Sequence, residues 1–372
     1  MPQVWNSLVE HDIFLQTTYL QALEDASPNN IKWFYVLVFK DNKAVGVAVV
    51  QRVQLYLKDI FRKTKVSCVK SFFRDLVSKT LKGNILAVGN ITHTGQHGLF
   101  FLKEHITQTQ FLEIIFTALN DIKKQIFLNQ KKKIRAIMMK DYFKNDSIHS
   151  SKKLFDDMRF HKVVVQPNMI LCVKQEWLTI DDYVYCLNKK YRDQYKRARK
   201  KRLSIVVKEL TLDDIKHHTP LLYKLYKNVT NNAKFNTFYL PKNHFFTLKT
   251  HLKDNFKVYA YFYKNQIIGF YTLILNNNTL ETYFLGYDKA YQQNNQLYLN
   301  MLYDMISFGI NNKFKTIVYA RTAMEIKSAV GAKAITMLIY LKHTNGLLNA
   351  LLKPIFKLMN PKQNWTERHP FK

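Results

Sequence analysis

Apolar positions along the chain change period in the same order twice. Residues 4–24 space Trp5, Leu8, Phe14, Tyr19, Leu20 and Leu23 as a pair of short helices. The β-rich runs IKWFYVLVFK and AVGVAVVQRVQLYL follow, and the Asp41-Asn42-Lys43 turn between them predicts a hairpin. Strands are expected at 84–92 and 99–102. A helix over 109–128 carries the apolar stripe Phe111, Ile114, Ile115, Ala118 and Ile122. KIRAIMMK reads as a strand, 150–158 as a short helix, and VVVQPNMILCV as a closing strand made irregular by Pro167.

The second half repeats this grammar. A helix over about 180–201 opens it, after Thr179, Asp181 and Asp182, which suit a capped start. Strand IVVKEL leads to a helix over 213–230 and a helical segment over about 241–253. Then come KVYAYFY, a turn at Lys264-Asn265-Gln266, and IIGFYTLIL, a second hairpin. Strand LETYFLGY, a helix over about 296–312, strand TIVYARTA, a short helix through 326–330 and strand ITMLIYLK complete it. FKDNKAVGVAVV and FYKNQIIGFYTLIL align as strand, tight turn, two aliphatics, Gly, strand. The pattern predicts an internal duplication of one α/β unit, with units at 1–178 and 179–345 and an amphipathic tail at 346–372.

Composition adds a charge question. The 372 residues carry 57 Lys and Arg against 27 Asp and Glu, a net charge of +30. Such an excess favours an anionic partner: nucleic acid, an anionic membrane face, or a phosphate-bearing cofactor or lipid. A Lys- and Asn-rich coding bias explains part of it. With 47% hydrophobic residues the chain buries substantial cores. Cys68, Cys172 and Cys186 form no CxxC pair, so neither a disulfide framework nor a cysteine zinc site is signalled, and a reducing compartment is expected. The first twelve residues lack the basic and apolar regions of a signal peptide, and no apolar run is long enough for a transmembrane span.

Three stretches carry a family resemblance. LNKKYRDQYKRARKK (187–201) has the form of a basic helix that opens a second unit. YLNMLYDMISFGINNKFKTIVYARTAMEIKSAVGA (298–332) contains a helix, a strand and an Arg-x3-Glu-x-Lys cluster. WNSLVEHDIFLQTTYLQALE (5–24) is a weaker N-terminal match. Together they make the chain resemble the FemAB-like group, tandem GNAT-fold acyltransferases. The resemblance implies an α/β (α+β) fold of two GNAT-like acyl-CoA N-acyltransferase units, each a mixed central sheet flanked by helices. It implies transfer of an acyl or aminoacyl group to an amine of a cell-envelope, peptidoglycan-precursor or lipid acceptor. It implies no tightly bound cofactor, and acyl-CoA or another activated acyl donor as co-substrate. It also fits a cytoplasmic protein, peripheral on the inner membrane face. Many GNAT enzymes hold the coenzyme A pyrophosphate on a Gly-rich turn at a helix N-terminus. The matching segment here, 287–295, has no Gly.

Amine acylation needs a proton acceptor, oxyanion stabilisation and an acid for the leaving group. Glu281, in TLETYFLGY, is the candidate base, and Tyr283, on the same strand face, a candidate acid. Tyr319 is a second candidate acid. Arg321 leaves a strand end, where ligands gather in open α/β sheets. Arg321 is therefore expected at the catalytic centre, with Glu325 and Lys327 contacting substrate or phosphate. Arg321 and Glu325 are also spaced to pair on a helical turn. Tyr191, Arg192 and Lys196 are expected to wall an anionic groove, together with Arg199 and Lys200, and Lys234, Phe235 and Asn236 to lie over the acceptor cleft. His93 and His97 share a Gly-containing loop, but two histidines without a further ligand nearby in sequence predict no metal. The tail GLLNALLKPIFKLM either docks on the domain or lies in an anionic membrane interface. Two other classes stay open. One is a nucleic-acid or tRNA binder resting on the charge and basic helix, tRNA then also serving as aminoacyl donor. The other is a non-catalytic scaffold at a membrane surface. An anionic donor or acceptor, CoA-like, lipid-linked or tRNA-borne, is expected, with the donor open among acyl-CoA, acyl carrier protein and aminoacyl-tRNA, and nothing in the chain sets an oligomeric state.

Overall fold

A computed structural model describes residues 2–55, 83–232, 237–359 and 365–372. The expected contacts Lys234, Phe235 and Asn236, and Cys68, lie outside the described residues. The first unit runs α1 (Gln3–Leu8), α2 (Thr17–Asp25), β1 (Ile31–Lys40), β2 (Lys43–Leu55), β3 (Gly83–Val88), β4 (Leu99–Phe101), α3 (Gln108–Gln130), β5 (Ile134–Phe143), α4 (Lys152–Asp157) and β6 (His161–Cys172). The second runs α5 (Ile180–Cys186), α6 (Lys189–Lys201), β7 (Val206–Glu209), α7 (Leu212–Thr230), α8 (His244–Leu252), β8 (Phe256–Tyr263), β9 (Gln266–Asn276), β10 (Thr279–Tyr287), α9 (Lys289–Asn295), α10 (Leu297–Asn311), β11 (Thr316–Val318), α11 (Met324–Ala329) and β12 (Lys333–His343). A last helix, α12 (Gly346–Met359), follows.

The two hairpins match in detail. Each turns through two residues with positive φ, Asp41-Asn42 (50° and 60°) and Lys264-Asn265 (46° and 61°), the geometry that suits the right-handed twist of paired strands. Each shifts register one step later, after Val38 and after Tyr261, whose partners are Gly46 and Gly269. Each of those glycines lies under its own unit's long helix. A Cβ at Gly46 would sit 2.6 Å from Phe111 of α3, and one at Gly269 would sit 2.8 Å from Met301 of α10. The duplication expected from FKDNKAVGVAVV and FYKNQIIGFYTLIL is therefore present in turn, bulge and helix packing alike.

The sheet does not divide where the sequence does. Its order is β1-β2-β3-β5-β12-β6-β11-β10-β9-β8-β7, with β4 on the side of β2. β12 pairs with β5 of the first unit, and β6 pairs with β11 of the second. Each unit has thus given its last strand to the other, and β6 and β12 pair antiparallel at the centre. The two units share one continuous mixed sheet in which β3–β5 and β10–β11 are parallel. The sheet crosses the boundary expected at 178. Pro167 falls where the β6–β12 register shifts, a place where a strand tolerates a missing N–H.

Three local expectations change. The helix over 180–201 is broken, because Leu187 is extended and bridges Phe371 near the C-terminus. Strand TIVYARTA ends at Val318. Ile114, assigned to the buried stripe of α3, is 39% exposed, and Leu112, Phe116 and Leu119 are buried there instead. One core joins α1 and α2 to α7, α8 and strands of both units; a second lies under α5, α6 and α10; a third lies under α3. Among the described residues no helix is long and apolar enough to cross a membrane.

Candidate functional site

β10 and β11 run parallel only from Thr279 to Glu281, where Glu281 lies opposite Val318. Beyond that point β10 shifts register against β9 between Thr282 and Leu285, and β11 ends. The sheet opens there on the β11 side, and Glu281 is the last residue of β10 paired with β11. The chain after β11 turns away through Ala320, Thr322 and Ala323, all with positive φ (56°, 67° and 46°). Non-glycine residues in that region are strained, and a run of them persists only when other bonds hold it. Here the Lys327 ammonium is the clamp: its Nζ donates to the carbonyls of Tyr319 (2.5 Å), Ala320 (3.4 Å) and Arg321 (2.7 Å). Met169 of β6 adds a backbone pair, donating to the Ala320 carbonyl and accepting from Tyr319.

Four other segments converge on Glu281. The loop after β3 brings His93 and His97. Asn90 shapes that loop, its side-chain oxygen accepting from Thr92 N (2.9 Å), Thr92 Oγ1 (2.7 Å) and Gln51 Nε2 (2.9 Å). From the N-terminal segment, Asp12 accepts from Phe14 N (3.1 Å) through Oδ1 and lies 2.6 Å from His97 Nδ1 through Oδ2. Phe14 stacks on the His93 ring at 3.9 Å. From the end of β5, Lys140 donates to the His93 carbonyl (2.6 Å) and pairs with Asp141. Asp141 also accepts from Gly95 N (3.1 Å) and pairs with Arg321 of the turn after β11. His93 Nε2 lies 3.9 Å from Glu281 Oε2.

These groups are buried, and burial dominates their chemistry. It pushes the Glu281 carboxyl up to about 8, against a smaller opposing pull from His97. It holds His93 well below the usual histidine range, with His97 and Lys140 adding to the effect. For His97 burial acts downward too, but the Asp12 carboxylate outweighs it and raises the pKa. Asp141 stays ionised despite complete burial, because Lys140, Arg321 and the Gly95 N–H all favour its charged form. Tyr283 continues the polar core on the same side of β10. Its hydroxyl lies 3.1 Å from His244 Nε2, and burial raises its pKa beyond that of a free tyrosine.

The structure thus separates the residues named from sequence. Glu281 and Tyr283 share one polar core, and Arg321 joins it through Asp141. Lys327 does not: it is buried, burial lowers it to about 7, and its amine is committed to main-chain carbonyls rather than to a ligand. Glu325 pairs with Arg368, not with Arg321, because the 320–323 turn is not helical. Tyr319 donates to the Leu302 carbonyl, which commits its hydroxyl to the fold. Arg192 donates to the Tyr185 and Leu187 carbonyls across the helix break. Arg199 pairs with Asp304, while Lys196 and Lys200 are exposed. Tyr191 and Glu325 do come together, lining a cavity of about 650 Å³ with Lys190, Met324, Trp365 and Arg368. Sequence reasoning missed Asp12, Lys140 and Asp141. Two adjacent charged residues of opposite sign in a mostly apolar strand, β5, were the available signal for the last pair.

No protein-family model and no curated protein sequence matches the chain. Solved structures do. FemX matches over 92% of this chain and 98% of its own, with a TM-score of 0.55 and 12% identity. A tandem GNAT protein from the clavulanic acid biosynthesis pathway matches over 88% of each chain, with a TM-score of 0.51 and 7% identity. L-PGS from Bacillus licheniformis matches over 92% of this chain and 95% of its own, with a TM-score of 0.50 and 8% identity. The protein has the FemAB-like tandem GNAT fold.

Proposed function

We propose that this protein transfers an acyl or aminoacyl group from an activated donor to an amine, with Glu281 accepting the amine proton. The observation that carries the reading is the position of Glu281 at the mouth where β10 and β11 part. A nucleophilic amine bound between the diverging strands would lie beside that carboxylate. Attack forms the new C–N bond, the amine proton passes to the carboxylate, and the thiol or alcohol of the donor leaves with a proton. Tyr283, on the same side of β10, is the candidate acid for that second transfer.

The acceptor class stays as the family resemblance implies it, an amine of a cell-envelope, peptidoglycan-precursor or lipid molecule. For the donor, the 650 Å³ cavity beside the 320–323 turn is informative. It combines two aromatic rings, Tyr191 and Trp365, with two cations, Lys190 and Arg368. That chemistry suits an adenosine carrying phosphates, which acyl-CoA and the end of an aminoacyl-tRNA share. A second reading, a donor other than coenzyme A, is favoured by Asp288. Its carboxylate caps the N-terminus of α9, accepting from Ala290 N at 2.9 Å. It thus occupies with negative charge the place where a pyrophosphate would bind.

Native mass spectrometry of the full chain, purified gently at low salt, tests the reading. Retention of acyl-CoA or of tRNA, lost in Trp365→Ala and Arg368→Ala, is the expected result and names the donor. A bare protein that transfers nothing from either donor class to amine acceptors overturns the reading.

A further inference from the structure

We propose that His93, His97 and Glu281 form a binding site for a divalent transition-metal cation of the zinc class. The sequence argument against a metal was that two histidines lacked a third ligand. The fold supplies it from β10: one ligand atom from each of the three residues lies within 4.8 Å of the others. Ligand atoms around a tetrahedral zinc at about 2.1 Å are roughly 3.4 Å apart, so small side-chain rotations close the set. Two imidazoles and one carboxylate leave a fourth position for water or substrate, the composition of open zinc sites.

Three further features point to a cation. His93 Nε2 is fully buried, faces Glu281 at 3.9 Å, and has no hydrogen-bond partner among the described residues. A buried lone pair with nothing to accept is costly, and a metal satisfies it. His97 has its Nδ1 on Asp12, which fixes the tautomer that frees Nε2. A carboxylate behind a ligating imidazole is the usual supporting arrangement at zinc sites. Gly95, at φ 117°, keeps the space beside that Nε2 clear, since a Cβ there would sit 2.8 Å from it. Charge is compatible too. Asp12 and Glu281 offset the cation, and the nearby Lys140 is paired with Asp141.

Binding of the cation does not depend on the transfer reading. One consequence does rest on it: a metal held by Glu281 takes the lone pair needed for the amine proton, so occupancy inhibits transfer.

Metal-free full-length protein is titrated with Zn²⁺ alone, and in parallel with Co²⁺, by calorimetry. One equivalent per chain is expected. Affinity falls at least tenfold in His93→Ala and Glu281→Gln, and about 10- to 100-fold in Asp12→Asn, which removes only the supporting carboxylate. The double variant His217→Ala/His218→Ala, a histidine pair on α7, keeps the full affinity. Thermal melts check that each variant is folded. Should His93→Ala not fold, the near-isosteric Glu281→Gln and Asp12→Asn carry the test. No stoichiometric binding by the wild type, or unchanged affinity in the folded variants, overturns the site. If Glu281→Gln loses transfer while the wild type binds no zinc, the metal falls and the base stands. If zinc binds as expected but Glu281→Gln transfers normally, the base falls and the metal stands.

Discussion

The two units are built alike up to their parallel strand pairs, and there they part. In the first unit β3 pairs with β5 from Asn84 to Val88, all but the first residue of the strand. In the second, β10 leaves β11 after Glu281 and continues to Tyr287 paired only with β9. A closed pair has no room between its strands for a ligand, whereas an open pair exposes main-chain groups and side chains at its mouth. The first unit instead contributes the His93–His97 loop after β3, and Lys140 and Asp141 near the end of β5. The comparison teaches a division of labour. One copy keeps the opening, and the other supplies the polar groups that face it.

The sharpest way to break this comparison is at Glu281. Glu281→Gln should lower transfer by about 100- to 10,000-fold, as expected for loss of a positioned proton acceptor. Folding should survive, because the change removes a buried ionisable group without changing its shape. Unchanged turnover in a folded variant would move the chemistry away from the opening of the second unit.

Asp141 tests what the first unit supplies. It is 1% exposed and pairs with both Lys140 and Arg321. Asp141→Ala leaves two cations without their shared partner and should cost about 3–5 kcal/mol in denaturant unfolding. Arg321→Ala leaves the Lys140–Asp141 pair intact and should cost much less, while still lowering transfer. Equal losses of stability in the two variants would mean that Asp141 is not the bridge between the units.

The matched glycines sharpen the comparison at its smallest scale. Gly46→Ala places a Cβ 2.6 Å from the Phe111 ring and 3.0 Å from the Phe100 carbonyl. Neither gives way easily, so a cost of about 1–3 kcal/mol is expected. Gly269→Ala meets the terminal methyl of Met301 at 2.8 Å. A methionine end moves aside, and the cost should stay below about 1.5 kcal/mol. Thermal melts of the two variants check the order.

The sequence by itself determined the repeated order of elements, the two hairpins and their turns, and the candidate base. Those features are local: period-2 and period-3.6 apolar spacing, two-residue turns that need positive φ, and a carboxylate set in an apolar strand. It also showed the basic helix, but not that Arg192 and Arg199 are held by carbonyls and Asp304, since those partners are set by packing. Only the tertiary structure decided that β6 and β12 change places, because strand partners are chosen by long-range pairing and nothing in a strand's own residues names its neighbour. Only the fold committed Lys327 to the 319–321 carbonyls. And only the fold brought Asp12, the His93–His97 loop and Glu281 together, because long-range packing, not spacing along the chain, makes these three segments neighbours. A buried polar cluster is legible from sequence only when its members are local. This one draws on both ends of the molecule.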